Sequence, residues 1–295
     1  PPLSAALAEA LNPAVFWEYR EILLKGLAFN FYVFACAAAA ALALGLGAAL
    51  LRRWPLPGTG AEGDKQSRGV ALIIGGAAEI PGALVLAGVA ALRAGAGKLQ
   101  LAGPASCSVA LGITIPEARV FPLPENSAGR LERQAGQRAA EYSDGADAIL
   151  VGPGMLGEDA IQKMMEALMP RISDGPLVLD ASALAALRGG RHRFSPDARV
   201  LLTPNYSEMG RLIGDTREAV ERDPPGIAAT IARTLDVVIA LKGPDTYIAT
   251  PDGELFQYST GKVGLATSGS GDMLCGSFGR TSTLPRCSSR RRARR

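Results

Sequence analysis

Short apolar runs recur through the middle of the chain at Val70–Ile74, Ala148–Val151, Pro176–Leu179, Val200–Leu202 and Val237–Leu241, and helical stretches such as Gly82–Ala94 and Asp159–Met169 lie between them. Runs of this kind, apolar without polar alternation, suit strands buried on both faces. Strands that alternate with helices build a parallel sheet covered by helices on both sides. After Leu241 the pattern changes to Tyr247-Ile-Ala-Thr, Pro-Asp-Gly and then Glu254–Tyr258, which predicts a hairpin turning at Asp252-Gly253. The expected fold is therefore a three-layer α/β/α domain whose mainly parallel sheet carries an antiparallel edge hairpin.

The 295 residues are ample for one such domain and short for two enzyme domains of average size. Composition divides the chain into three parts: 1–55, 56–276 and 277–295. Residues 26–51 contain no charged side chain and are long enough to cross a bilayer as a helix. They read as a membrane anchor tethering a cytoplasmic catalytic domain. An Ala-rich helix packed on its own domain, or sequence foreign to the natural enzyme, are the alternatives. A Pro/Gly-rich linker starting at Trp54 leads into the main domain. The last sixteen residues hold seven arginines and no acid, so the rest of the chain is net −4, with 24 bases against 28 acids. A body of that charge is not built for nucleic acid. The arginine tail reads as disordered, and its abrupt change of composition fits a shifted reading frame. Cys36, Cys107, Cys275 and Cys287 form no CxxC pair, which argues for reduced thiols and against a zinc site or disulfide scaffold. No metal-ligating residues are assigned. His192, the only histidine, lies between two arginines and reads as a surface loop residue, leaving a Ser-His-Asp or Cys-His mechanism without candidates.

Ligands of open α/β sheets bind beyond the carboxyl ends of the strands, so the residues that follow each apolar run carry the chemistry. Gly75–Ala83 is a Gly-rich turn entering a helix, where free amides favour an anion, although tight turns also use Gly for steric reasons. Gly152-Pro-Gly-Met-Leu-Gly157 repeats the theme, as a ligand-approach loop or a plain one. Asp180 presents a carboxylate directly after Leu177–Leu179, and Ser182 suits a local turn. Asn205 and Glu208 have the spacing of a helix capping box, which alone could explain both. Lys242-Gly243-Pro244-Asp245-Thr246 puts a cation, a flexible backbone and a hydroxyl at another strand end, a plausible phosphate contact. The sharpest feature is Gly264–Gly276, a small-residue loop leading into a helix through Gly269, Ser270, Gly271 and Asp272. Its amides can hold a phosphoryl group, and Asp272 is placed either as a general base toward a hydroxyl or as an N-cap. The Lys-Ser or Lys-Thr pair of a P-loop is missing.

Taken in order, Gly75–Ala83, Gly152–Gly157, Leu179-Asp180-Ala181, Thr203-Pro204 with Glu208-Met209, Lys242-Gly243 with Thr246, and Gly269–Asp272 resemble the NAD(P)H-hydrate dehydratase family over roughly residues 56–276. The resemblance implies a ribokinase-like fold. It also implies a reaction in which ADP or ATP drives loss of water from the 6-hydroxyl adduct of NADH or NADPH, because phosphorylation makes that hydroxyl a good leaving group. It implies that Ala83, Gly154, Gly157, Asn205 and Asp272 contact the hydrated dinucleotide. Lys242, Gly243, Pro244, Asp245, Thr246, Gly269 and Gly271 would hold the adenine nucleotide, with Mg2+ bridging its phosphates, and Asp272 would act on the hydroxyl. A homo-oligomer is expected. Three features depart from the family. Thr-Pro-Asn-Tyr-Ser-Glu stands where it usually has Thr-Pro-His-x-Gly-Glu, the chain past Gly276 turns arginine-rich where the family continues with further helix, and the apolar N-terminal segment is not covered by the resemblance. A small-alcohol kinase of the same superfamily and an inactive nucleotide-binding protein are the competing readings.

Overall fold

The computed structural model of the chain describes residues 68–172, 175–190, 198–259 and 267–278, with a few isolated positions outside these ranges. The 26–51 segment, His192, loop residues 260–266 and residues 279–295 lie outside the described set. The chain divides into two compact units, 1–58 and 59–295, and all described strands belong to the second.

Nine strands form one sheet in the order β3-β2-β1-β4-β5-β6-β7-β8-β9. They are β1 (Val70–Ile74), β2 (Lys98–Pro104), β3 (Ala118–Leu123), β4 (Ala148–Val151), β5 (Pro176–Leu179), β6 (Arg199–Leu202), β7 (Val238–Leu241), β8 (Thr246–Ala249) and β9 (Leu255–Tyr258). All pairings from β3 to β7 are parallel, and β7-β8-β9 are antiparallel, as the apolar runs and the Asp252-Gly253 turn predict. The runs do not reveal β2 and β3. Lys98 and Gln100 interrupt the first, and the second is an edge strand whose apolar run is broken by Arg119 and Pro122, exposed on opposite faces.

Both faces of the sheet are covered, because side chains alternate between them along each strand. Ala71 and Ile73 of β1 join a core with Leu84 and Ala87 of α1 (Gly82–Arg93), Leu111 of α2 (Ser108–Thr114) and Cys275 of α8 (Ser270–Ser277). Leu72 and Ile74 join the other, larger core. It is built from α3 (Arg133–Ser143), α4 (Glu158–Ile172), a 3-10 segment (Ala181–Gly190), α5 (Tyr206–Ile213), α6 (Arg217–Arg222) and α7 (Pro224–Leu235). The helix expected over Asp159–Met169 runs Glu158–Ile172, with Ile161, Met164, Met165, Leu168 and Ile172 buried at helical spacing. Among the described residues no helix is long and apolar enough to cross a membrane.

Candidate active site

The chain leaves β1 toward β2 and β3 on one side of the sheet and then crosses to β4 on the other, so the strand order reverses between β1 and β4. A reversal of this kind opens a crevice at the carboxyl ends of the two strands. Both Gly-rich loops meet there, with the Gly76 amide donating to the Pro153 carbonyl at 2.7 Å. Gly154 has φ +67°, and a Cβ on it would sit 2.7 Å from the Ala83 Cβ and 2.9 Å from the Ile80 carbonyl. Only glycine tolerates that combination of conformation and approach. Ala83 is buried, so it offers the crevice its backbone rather than its side chain. It is the second residue of α1, whose first turn has no acid and whose N-cap, Pro81, supplies no side-chain hydrogen bond. The first amides of that helix are open toward an anion.

Charged side chains occupy the neighbouring stretch of the same edge. Asp180, 2% exposed after β5, accepts hydrogen bonds from Thr203 Oγ1 at 2.6 Å and from Lys242 Nζ at 2.7 Å. Lys242 follows β7 directly, and its own amide donates to the Pro204 carbonyl at 2.8 Å. Asn205 caps α5 reciprocally: its Oδ1 accepts from the Glu208 amide, and Glu208 Oε2 accepts from the Asn205 amide, at 2.9 and 2.8 Å. Asp272 lies in the first turn of α8, and a Cβ on its neighbour Gly271 would stand 3.5 Å from Lys242 Nζ. Asp180 pairs with that ammonium directly, and the charge of Lys242 also reaches Glu208 and Asp272.

That crowding sets the proton affinities. Burial pushes the Asp272 carboxyl up to about 6, with repulsion from Asp180 and Glu208 adding to the rise and Lys242 opposing it. Glu208 is also raised, chiefly by burial, against the pull of Lys242 and of the Asn205 amide. Burial works to lower the Lys242 pKa, but the Asp180 and Glu208 carboxylates outweigh it and hold the ammonium charged. The Cys275 thiol, buried beneath this cluster, is driven upward by burial first and Asp180 second, so it stays neutral. The edge therefore joins a charged ammonium to a carboxyl of raised proton affinity, groups suited to phosphoryl transfer onto a hydroxyl.

The NAD(P)H-hydrate dehydratase family pattern matches residues 71–281. The chain belongs to that family. It is 46% identical over 233 residues to the ADP-dependent (S)-NAD(P)H-hydrate dehydratase of Xanthomonas campestris, covering 78% of this chain and 76% of the relative. A bifunctional NAD(P)H-hydrate repair enzyme of Moorella thermoacetica is 39% identical, over 76% of this chain but 42% of its own length. Among solved structures, the ADP/ATP-dependent NAD(P)H-hydrate dehydratase of Bacillus subtilis, co-crystallised with ATP and Mg2+, matches with a TM-score of 0.63 and 31% identity, over 75% of this chain and 74% of that one. A ribokinase-like superfamily protein of Enterococcus faecalis, at 24% identity and a TM-score of 0.64, shares the fold. The sheet and its two helical layers are thus the ribokinase-like architecture.

Within this dehydratase-family domain the expected site residues fall into two groups. Ala83 and Gly154 meet at the β1/β4 crevice and Gly157 follows on the same loop, while Asn205 bridges Lys242 at the ends of β6 and β7, with Gly271 and Asp272 of α8 near Lys242. Gly243 lies under the Tyr206 ring, and Pro244, Asp245 and Thr246 lead outward into the hairpin, where Asp245 accepts from Gln257 Nε2 at 2.9 Å. Gly269 is the left-handed N-cap of α8 and packs on Leu86 of α1. The 260–266 part of the loop lies outside the described residues. What the sequence conceals is the link between Glu208 and Lys242, since the capping-box spacing accounts for Glu208 without any neighbouring cation. Among the described residues no three His, Cys, Asp or Glu side chains gather to hold a metal ion.

Proposed function

We propose that the domain at residues 56–276 is a hydro-lyase that uses ADP or ATP to convert hydrated NADH and NADPH back to the intact dinucleotides. The observation that carries this reading is the convergence of Asp272, with its carboxyl raised to about 6, on Lys242 beside a Gly-built crevice. The crevice of Ala83, Gly154 and Gly157 receives the hydrated dinucleotide. Asn205 also faces it through its amide nitrogen, because its Oδ1 is committed to the α5 cap. Lys242–Thr246, Gly269 and Gly271 receive the adenine nucleotide, with the Lys242 ammonium on its phosphates.

The reaction follows from that placement. Asp272 accepts the proton of the 6-hydroxyl as its oxygen takes the terminal phosphoryl group, and the amides of the Gly269–Gly271 turn stabilise charge on that group. The C6–O bond then breaks with orthophosphate leaving, a neighbouring ring carbon loses a proton, and the dihydronicotinamide double bond is restored. Magnesium, when bound, would be carried on the nucleotide phosphates and neutralise their charge, an arrangement that needs no all-protein cage. The test is the return of NADH absorbance from hydrated NADH with magnesium and ADP or ATP, beside Asp272→Asn. Recovery that needs nucleotide and is lost in the variant supports the reading. No recovery from a protein that melts cooperatively overturns it.

A further inference from the structure

Arg130 lies outside the two groups above, yet it touches both loops of the crevice. It sits on a turn closed by the Glu125–Leu131 bridge and stapled over the first loop, where the Ala78 amide donates to the Gly129 carbonyl at 3.0 Å. The arm passes across the second loop, since a Cβ on Gly157 would lie 3.1 Å from Arg130 Cδ and 3.2 Å from Nη1. Gly157, with φ +86°, leaves room for it. The Arg130 ion pair is loose: Nη2 is 3.8 Å from Glu79 Oε1, with both side chains partly exposed. Its Nε is buried and, among the described residues, has no hydrogen-bond partner. Buried guanidinium donors are ordinarily paired, and a fork of unspent N–H groups matches a phosphate in geometry and charge.

We propose that Arg130 holds a phosphate of the hydrated dinucleotide in the β1/β4 crevice, acting as a substrate-binding and specificity residue rather than in proton transfer. This rests on the dehydratase reading of the site. The dinucleotide offers two sources of that chemistry, the pyrophosphate common to both substrates and the 2′-phosphate of NADPH alone. The arm lies against Gly157, on the loop that also carries Gly154 beside Ala83, the backbone that would contact the dinucleotide.

The experiment compares wild type, Arg130→Gln, Arg130→Lys and, as a charge control at an exposed pair elsewhere, Arg138→Gln. Each is assayed for turnover and, by calorimetry, for binding of hydrated NADH and hydrated NADPH. Arg130→Gln is expected to weaken binding and raise KM on the order of tenfold or more, with kcat and the KM for ATP within about twofold. Arg130→Lys should recover part of the loss, and Arg138→Gln should resemble wild type. Loss with both hydrates assigns the pyrophosphate, and loss with the NADPH hydrate alone assigns the 2′-phosphate. Equal Kd values in wild type and Arg130→Gln, at matched melting temperature, overturn the proposal while leaving the dehydratase reading intact. An altered KM for ATP alone overturns it as well. A wild type that binds the hydrates without turning them over breaks the dehydratase reading, and Arg130 is then judged on the Kd ratio. A wild type that binds neither hydrate overturns both.

Discussion

The two halves of the sheet's working edge are built from different materials. At the β1/β4 crevice the ligand-facing surface is backbone, with glycines at 76, 154 and 157 in left-handed conformations and the open start of α1 beside them. At the ends of β5, β6 and β7 it is side chain, with Asp180, Glu208 and Asp272 around Lys242. Backbone can hold a large, extended ligand without selecting a protonation state, whereas one ammonium among partly buried carboxyls sets proton affinity. The first half suits binding and the second suits reaction.

Substitutions should separate the halves by what they change. The largest effect is expected from Asp272→Asn, which removes the proton acceptor and should lower kcat by about 10²–10⁴-fold with little change in substrate affinity, read by steady-state kinetics. Asp180→Ala comes next. It leaves the Lys242 ammonium buried without its nearest partner and Thr203 Oγ1 without its carboxylate, so stability should fall by roughly 3–5 kcal/mol in a denaturant titration. Gly154→Ala should cost about 1–3 kcal/mol through its positive φ and its approach to Ala83, and should raise KM for the hydrate more than it lowers kcat. If kcat falls with KM unmoved, the division between a binding half and a reacting half is wrong.

The smallest expected effect is a pH-dependent one. Asp272 must be ionised to accept a proton, so kcat/KM should rise with pH through an apparent value of about 6 and then level, and Asp272→Asn should lack that limb. Stability runs the other way. The carboxyl is raised from 3.8 to about 6 on folding. Well below 3.8 it is protonated in both folded and unfolded chains, the penalty grows between about 4 and 6, and above about 6 it is charged in both, with the cost of burying that charge falling on the folded state. Asp272→Asn should therefore raise the melting temperature at pH 8, by much less at pH 4, and leave it unchanged near pH 3. Since the group is only half-buried, the gain should be about 1 kcal/mol, or a few degrees.

The chain declared much of this in one dimension. Apolar runs ending in Gly, Asp or Lys marked both the strands and the edge where ligands meet, because a buried parallel strand must be apolar and its end must be polar. Lys242 stood out for that reason, and Asp272 for the small-residue loop that leads into its helix. Their partnership with Asp180 did not, since Lys242 and Asp180 are 62 residues apart and meet only through the order of strands in the sheet. Glu208 was hidden by a second role, as its cap with Asn205 is complete without any neighbour. Arg130 was hidden by its surroundings, a Pro/Asn/Ser/Gly stretch that reads as an ordinary loop until the turn is seen lying over Gly157. Strands β2 and β3 were obscured by polar residues that a parallel strand near an edge tolerates.

The most direct test of the central claim is a stoichiometry. Orthophosphate released and NADH returned should be measured together, in one reaction of the full chain with hydrated NADH, magnesium and ATP. The dehydratase mechanism predicts that they rise together in equal amounts, and that neither rises with Asp272→Asn. Nucleotide consumption that yields a stable phosphorylated product, with no NADH and no orthophosphate, would contradict it and make the site that of a kinase.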